Sequence, residues 1–140
     1  MKDFVMIHPE VAGTIAKSDF IDKMARPPKI NQLVYEFRGW LGDDLLTSIA
    51  TFIVTDRLRT AIEIEKLTGV EFDDVKTVIS DQFMELYGNK TIPKFYWMKI
   101  TGVQYVDDFS LSSENDLLVS PNGMNLLKGF QISNAEVSIG

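Results

Sequence analysis

The side chains of this chain that could do chemistry are few and mostly acidic. Three aspartate pairs, Asp43-Asp44, Asp73-Asp74 and Asp107-Asp108, offer oxygen ligands for calcium or magnesium, and Asp107 or Glu85 could serve a metal-dependent hydrolase. No pair has the D-x-[DN]-x-[DN]-G spacing of an EF-hand loop. Adjacent aspartates on a strand point to opposite faces and in a loop face water, so a solvated surface is the plainer reading. The single histidine, His8, precedes Pro9, and cysteine is absent. Three or four His/Cys ligands for zinc cannot be assembled from such a set. No G-x-S-x-G turn accompanies His8, and neither G-x-x-x-x-G-K-[ST] nor G-x-G-x-x-G occurs to cradle a phosphate. The residues therefore predict no catalytic, cofactor-binding or metal-ligating group.

Recognition remains. Trp40 stands between Gly39 and Gly42, beside Asp43 and Asp44. A tryptophan on a glycine-flanked loop can anchor a protein interface; the alternative is that it folds back over the sheet beneath it. Asp107 to Asp116 reads as an acidic loop without a Lys or Arg, and Asp107, Asp108 and Glu114 could meet a basic partner there. Trp40, Asp43, Asp44, Asp107, Asp108 and Glu114 form the expected partner-binding set. Twenty acidic against fourteen basic residues give a net charge of −6. That balance disfavours nucleic acid and suits a basic protein reached by electrostatic steering. The first residues lack the layout of a signal peptide, and the apolar runs fall well short of the roughly 20 residues that span a bilayer. A soluble cytoplasmic protein with no membrane contact is expected.

The elements that must position these residues include a repeat. Residues 52–74 and 117–139 follow one pattern at a constant offset of 65. Phe52-Ile53-Val54-Thr55 matches Leu117-Leu118-Val119-Ser120, and Gly69-Val70-Glu71-Phe72 matches Asn134-Ala135-Glu136-Val137. An apolar run ending in a hydroxyl residue predicts a buried strand entering a helix N-cap. Gly or Asn before the next apolar run predicts a helix end turning into a second strand. Leu58, Ala61 and Ile62 form the apolar stripe of the first helix, and Met124, Leu126, Leu127 and Phe130 that of the second.

Around the repeat, Val5-Met6-Ile7 reads as a short strand, and Val11 to Met24 as a region holding a helix with Ile15, Phe20, Ile21 and Met24 on its apolar side. Arg26-Pro27-Pro28-Lys29 breaks regular structure. Leu33, Tyr35 and Phe37 alternate with Val34, Glu36 and Arg38 as in a half-buried strand. Leu45, Leu46, Ile49 and Ala50 suggest a short helical turn. One strand is expected from about Val70 to Ile79, then a helix from Asp81 to Tyr87 stopped by Gly88-Asn89. Phe95 to Thr101 has apolar residues on both faces and predicts a central strand, with Tyr96 and Trp97 in the core. At 140 residues with 45% hydrophobic content, the chain reads as one α+β domain, 1–140, with a mixed sheet of about six strands and three or four helices. Residues 1–30 are its least defined part.

Several segments carry a family resemblance. LVYEFRGWLGDDLL over 33–46, FIVTDRL with LTGVEF, IPKFYWMKITG, and DDFSLSSENDLLVS closing on ISNAEVSIG together resemble immunity proteins of bacterial polymorphic toxin systems. These are small, often acidic, stand-alone proteins encoded beside toxin genes. The resemblance covers about residues 33–140 and rests on scaffold positions, so it assigns a role to no individual residue. It implies binding and neutralisation of one cognate toxin, without catalysis. A small-ligand regulatory module with its ligand between the two copies, and a carboxylate-dependent hydrolase, are the alternatives.

Overall fold

A computed structural model of the protein describes residues 3–140. In chain order the elements are β1 (Val5–His8), β2 (Gly13–Thr14), β3 (Asp19–Asp22), β4 (Lys29–Gln32), β5 (Val34–Phe37), β6 (Leu45–Ser48), β7 (Thr51–Thr55) and α1 (Asp56–Ile64). They continue as β8 (Val70–Asp74), β9 (Lys76–Ile79), α2 (Asp81–Tyr87), β10 (Phe95–Ile100), β11 (Phe109–Leu111), β12 (Leu117–Val119), α3 (Pro121–Leu127) and β13 (Glu136–Ile139). The fold is α+β, as expected, but with more and shorter strands than the sequence suggests.

Both copies of the repeat fold as strand, helix, strand. Thr55 and Ser120 cap their helices as predicted: each is extended, and its hydroxyl oxygen accepts an N–H from the first turn, Leu58 at 3.4 Å and Gly123 at 3.0 Å. Neither copy completes its own sheet. One sheet has the order β6-β7-β10-β8, the other β11-β12-β1-β13, and every neighbouring pair in both is antiparallel. The strand β1, which lies ahead of the first copy in the chain, sits at the centre of the second copy's sheet. The strand β10, which lies ahead of the second copy, sits at the centre of the first copy's sheet. The two halves thus exchange their central strands.

Between these sheets lies a core of Ile7, Leu45, Phe52, Val54, Met98, Phe109, Leu117 and Val119, closed over by Leu58 and Ile62 of α1 and Leu127 of α3. Burying each such side chain contributes about 1.5–3 kcal/mol. The other face of the β6-β7-β10-β8 sheet holds a second core. There Leu46, Ile53 and Phe95 pack against Leu33, Tyr35, Phe37 and Phe83. These last residues belong to a third layer, the sheet β2-β5-β9 with α2. Being covered on both faces is why Phe52-Ile53-Val54 of β7 and Phe95-Tyr96-Trp97-Met98 of β10 are apolar at consecutive positions.

The structure corrects four of the sequence expectations. Residues 11–24 form β2 and β3 rather than a helix, with Ile21 and Met24 exposed. Leu45 and Leu46 belong to β6, each facing a different core. Ile49 and Ala50, both with positive φ, make the two-residue turn into β7. The stretch Val70–Ile79 is two strands in different sheets: β8 pairs with β10, and β9 runs parallel to β5. The acidic segment after Asp107 contains β11. The central position of β10, the strand at Val5, the alternation of β5 and helix α2 agree with the sequence reading. Among the described residues no helix is long and apolar enough to cross a membrane.

Candidate binding surface

Three of the acidic residues that stand out in the sequence, Asp43, Asp44 and Asp108, are pins that hold the two halves together. Asp44 is buried. Its carboxylate accepts the Thr55 hydroxyl at 2.6 Å, Arg57 Nε and Nη2 at 2.8 and 2.6 Å, and the backbone N–H of Gln131 at 2.8 Å. Burial pushes this carboxyl up, but the hydrogen bonds from Arg57, Thr55 and Gln131 outweigh it and hold the group below its ordinary value. Asp43, fully buried, accepts the backbone N–H and the side-chain amide of Asn134, both at 2.9 Å. Both aspartates therefore tie the first copy to the connection between α3 and β13.

Asp108 does the reverse. It accepts the Ser120 hydroxyl at 2.5 Å, and from the first copy the backbone N–H of Thr68 at 2.9 Å. The Asp108 N–H in turn donates to Thr68 Oγ1 at 3.0 Å. Asp44 precedes its helix cap by 11 residues and Asp108 by 12, because the β11–β12 hairpin has a longer turn than β6–β7. The crossing is tight. A Cβ on Gly69, whose φ is +92°, would stand 2.0 Å from the Phe109 carbonyl oxygen.

The predicted partner-binding set thus does not converge on one surface. Asp43 and Asp44 are satisfied internally, as buried carboxylates must be, and are not available to a partner. Asp107 accepts the Val103 N–H at 2.7 Å and closes its own loop. Trp40 is half-buried: it packs edge-on against Phe95, donates its indole N–H to the Asp43 carbonyl at 3.0 Å, and carries Lys90 over its ring at 5.2 Å. It folds back over the sheet. Glu114, in the β11–β12 turn, is the exposed member of the six, and its carboxylate has no partner among the described residues. His8 sits at the surface, Nδ1 3.4 Å from Asp116.

What the structure does present is a groove between α1 and α3, about 750 Å³ in volume. Ala61, Ile64 and Leu67 form one wall, Leu126 and Phe130 the other. Asn122, Asn125 and Glu65 supply its polar atoms, so one ionisable group lines it. Ile64 is 71% exposed, a large apolar side chain at the helix end with nothing over it. Arg57, held by Asp44, lies 5.4 Å from the Phe130 ring centroid, so the pin between the halves also fixes the groove wall. A second groove, about 690 Å³, runs along the other side of α1 against β8, and Leu67 lines both.

Sequence reasoning puts Leu126 and Phe130 on the buried stripe, where they are only partly buried, and passes over Ile64 and Leu67. The one available signal is Ile64 itself, an isoleucine two positions after Ile62 and so off the helix's buried face.

No protein-family model matches the chain, and a search of the curated proteins finds no match.

Proposed function

We propose that this protein is a non-catalytic binding protein that neutralises a cognate bacterial toxin by covering the toxin's working surface. The observation that carries the reading is the α1–α3 groove: an apolar trough, lined by a single ionisable side chain, with Ile64 standing exposed at its edge. Contiguous apolar surface of this kind suits gripping another macromolecule. A site for hydrolysis needs titratable groups that converge. Here Asp107 is spent in closing its loop, and Glu85 lies on α2, in the outer layer. The net charge of −6 favours a basic partner. A stable complex would bury on the order of 1,600 Å², more than the groove alone supplies, so α1 and both grooves flanking it would take part.

The test is co-expression with the product of the adjacent reading frame. Growth arrest by that product alone, relieved when this chain is present, together with a stoichiometric complex on size exclusion, is the expected result. A harmless neighbour, or relief of toxicity without a complex, would overturn the reading.

One observation favours a second reading. The groove lies between the helices of the two copies and has the volume of a small-molecule site, which fits a ligand-binding regulatory module. A thermal-shift screen against a metabolite panel separates the two, because a ligand held by the native state raises its melting temperature.

A further inference from the structure

The outer edge of β8 is open. Strand β8 ends its sheet, hydrogen-bonded to β10 on one side and, among the described residues, to no strand on the other. Free edges are templates for an added strand, and folded proteins usually blunt them. Three features at β8 say which strand it would accept.

The first is the groove between β8 and α1, about 690 Å³, whose floor is Ile62, Leu67, Val70 and Phe72. Val70 and Phe72 pack toward the core between the sheets, so an added strand would turn alternate side chains into this apolar trough. The second is the opposite face of β8, which bears Glu71 and Asp73. Lys99 stands directly across from Glu71 in register, yet its ammonium pairs with Asp73 at 2.9 Å. Glu71 makes no ion pair among the described residues. The third is the far end of the strand, where exposed Asp74 is likewise without an ion pair among those residues and Glu63 is already committed to Arg59. Lys66 is the one basic side chain on the trough. The corresponding edge of the other copy, β13, bears only Glu136, with Asp3 and Lys128 both in the adjoining groove, so its acidic charge is smaller.

We propose that β8 takes up an extended segment of the protein partner by strand addition, a segment whose apolar residues alternate with Lys or Arg. Apolar side chains enter the α1–β8 trough, and the basic ones face Glu71 and Asp73. Backbone hydrogen bonds to the free edge supply affinity, while the trough and the carboxylates supply selectivity. The inference rests on the binding-protein reading above and extends it to the class of segment recognised.

The probe is a synthetic octapeptide alternating Val and Lys, titrated into the intact protein and followed by backbone amide exchange and chemical shift. Expected are slowed exchange confined to residues 70–74 and their neighbours, and binding weakened about tenfold in Glu71→Lys. A matched peptide alternating Val and Glu should bind more weakly by a similar factor. Equal binding of the two peptides, or shifts placed elsewhere, would overturn the proposal. So would protection of 70–74 that grows with protein concentration alone, since the edge would then pair with a second copy. The peptide requires no toxin, so this outcome is independent of the co-expression result. A tight toxin complex in which the β8 amides exchange at their free rate would sink strand addition and leave neutralisation standing.

Discussion

Asp44 and Asp108 mirror each other across the two copies. Each accepts the hydroxyl of its own copy's helix cap, Thr55 or Ser120, and each accepts a backbone N–H from the other copy, Gln131 or Thr68. The reciprocal pins sit where the chain leaves each helix, so they join helix position to the exchange of central strands.

Their burial differs, and so should their worth. Asp44→Ala strands the Thr55 hydroxyl, the Arg57 guanidinium and the Gln131 N–H, and should cost about 3 kcal/mol. Asp108→Ala, at a partly exposed site where water can replace the carboxylate, should cost about 1–2 kcal/mol. Urea unfolding of the two variants checks the order, and equal losses would contradict it.

Two carboxylates should give the stability profile opposite slopes. Asp44 titrates below its ordinary 3.8 in the folded state, so its stabilisation is present above that value and disappears as pH falls through the folded pKa. Glu10, buried between β1 and β2, accepts the Leu41 N–H at 2.7 Å and the Asp43 N–H at 3.4 Å. Raised chiefly by burial from 4.5, it contributes most below that value and loses its contribution as pH rises through its folded pKa. Melting temperature against pH should therefore fall less steeply on the acid side for Asp44→Asn. Glu10→Gln should gain relative to the native protein as pH rises above 4.5. Parallel curves for all three proteins would refute both assignments.

Much of the scaffold is legible in the chain because its signals are local. A hydroxyl cap ahead of a 3.6-residue stripe announces α1 and α3, and strict alternation announces β5. The failures are non-local. Leu45 and Leu46 face two different cores, so β6 has no alternation to read. Its turn uses Ile49 and Ala50 at positive φ, where Asn-Gly would have signalled a hairpin. Nothing near residue 75 reveals that β8 and β9 part into different sheets, nor can adjacent residues reveal that β1 and β10 are exchanged. Acidic residues usually lie at the surface, which makes that the natural reading of the aspartates. Two of the partners that let Asp43 and Asp44 be buried, Asn134 and Gln131, lie about ninety residues away, and even Thr55 and Arg57 reach Asp44 only through the β6–β7 hairpin, which no local signal announces.

Gly69 should tolerate no side chain. Its positive φ, and the Phe109 carbonyl oxygen that a Cβ would meet at 2.0 Å, leave Gly69→Ala both strained and clashing. A loss of about 3 kcal/mol in chemical unfolding is expected. An alanine variant as stable as the native protein would mean that the halves cross with slack.

Ile64→Asp should separate binding from folding. The side chain is largely exposed, so unfolding free energy should change by no more than about 0.5 kcal/mol. On the proposed function, protection in the co-expression assay should be lost. Full protection by this variant would move the contact surface away from the α1–α3 groove.

The strand exchange bears on how fast a complex could form. Thr68 and Gln131, just behind the two helices, are each held by an aspartate of the opposite half, so α1 and α3 cannot move apart without breaking these reciprocal hydrogen bonds. The trough between them is in place before anything arrives. On the proposed function, an arriving protein would meet a preformed seat and lose little entropy in organising it, which would leave encounter to be set by diffusion and by the negative field of the surface.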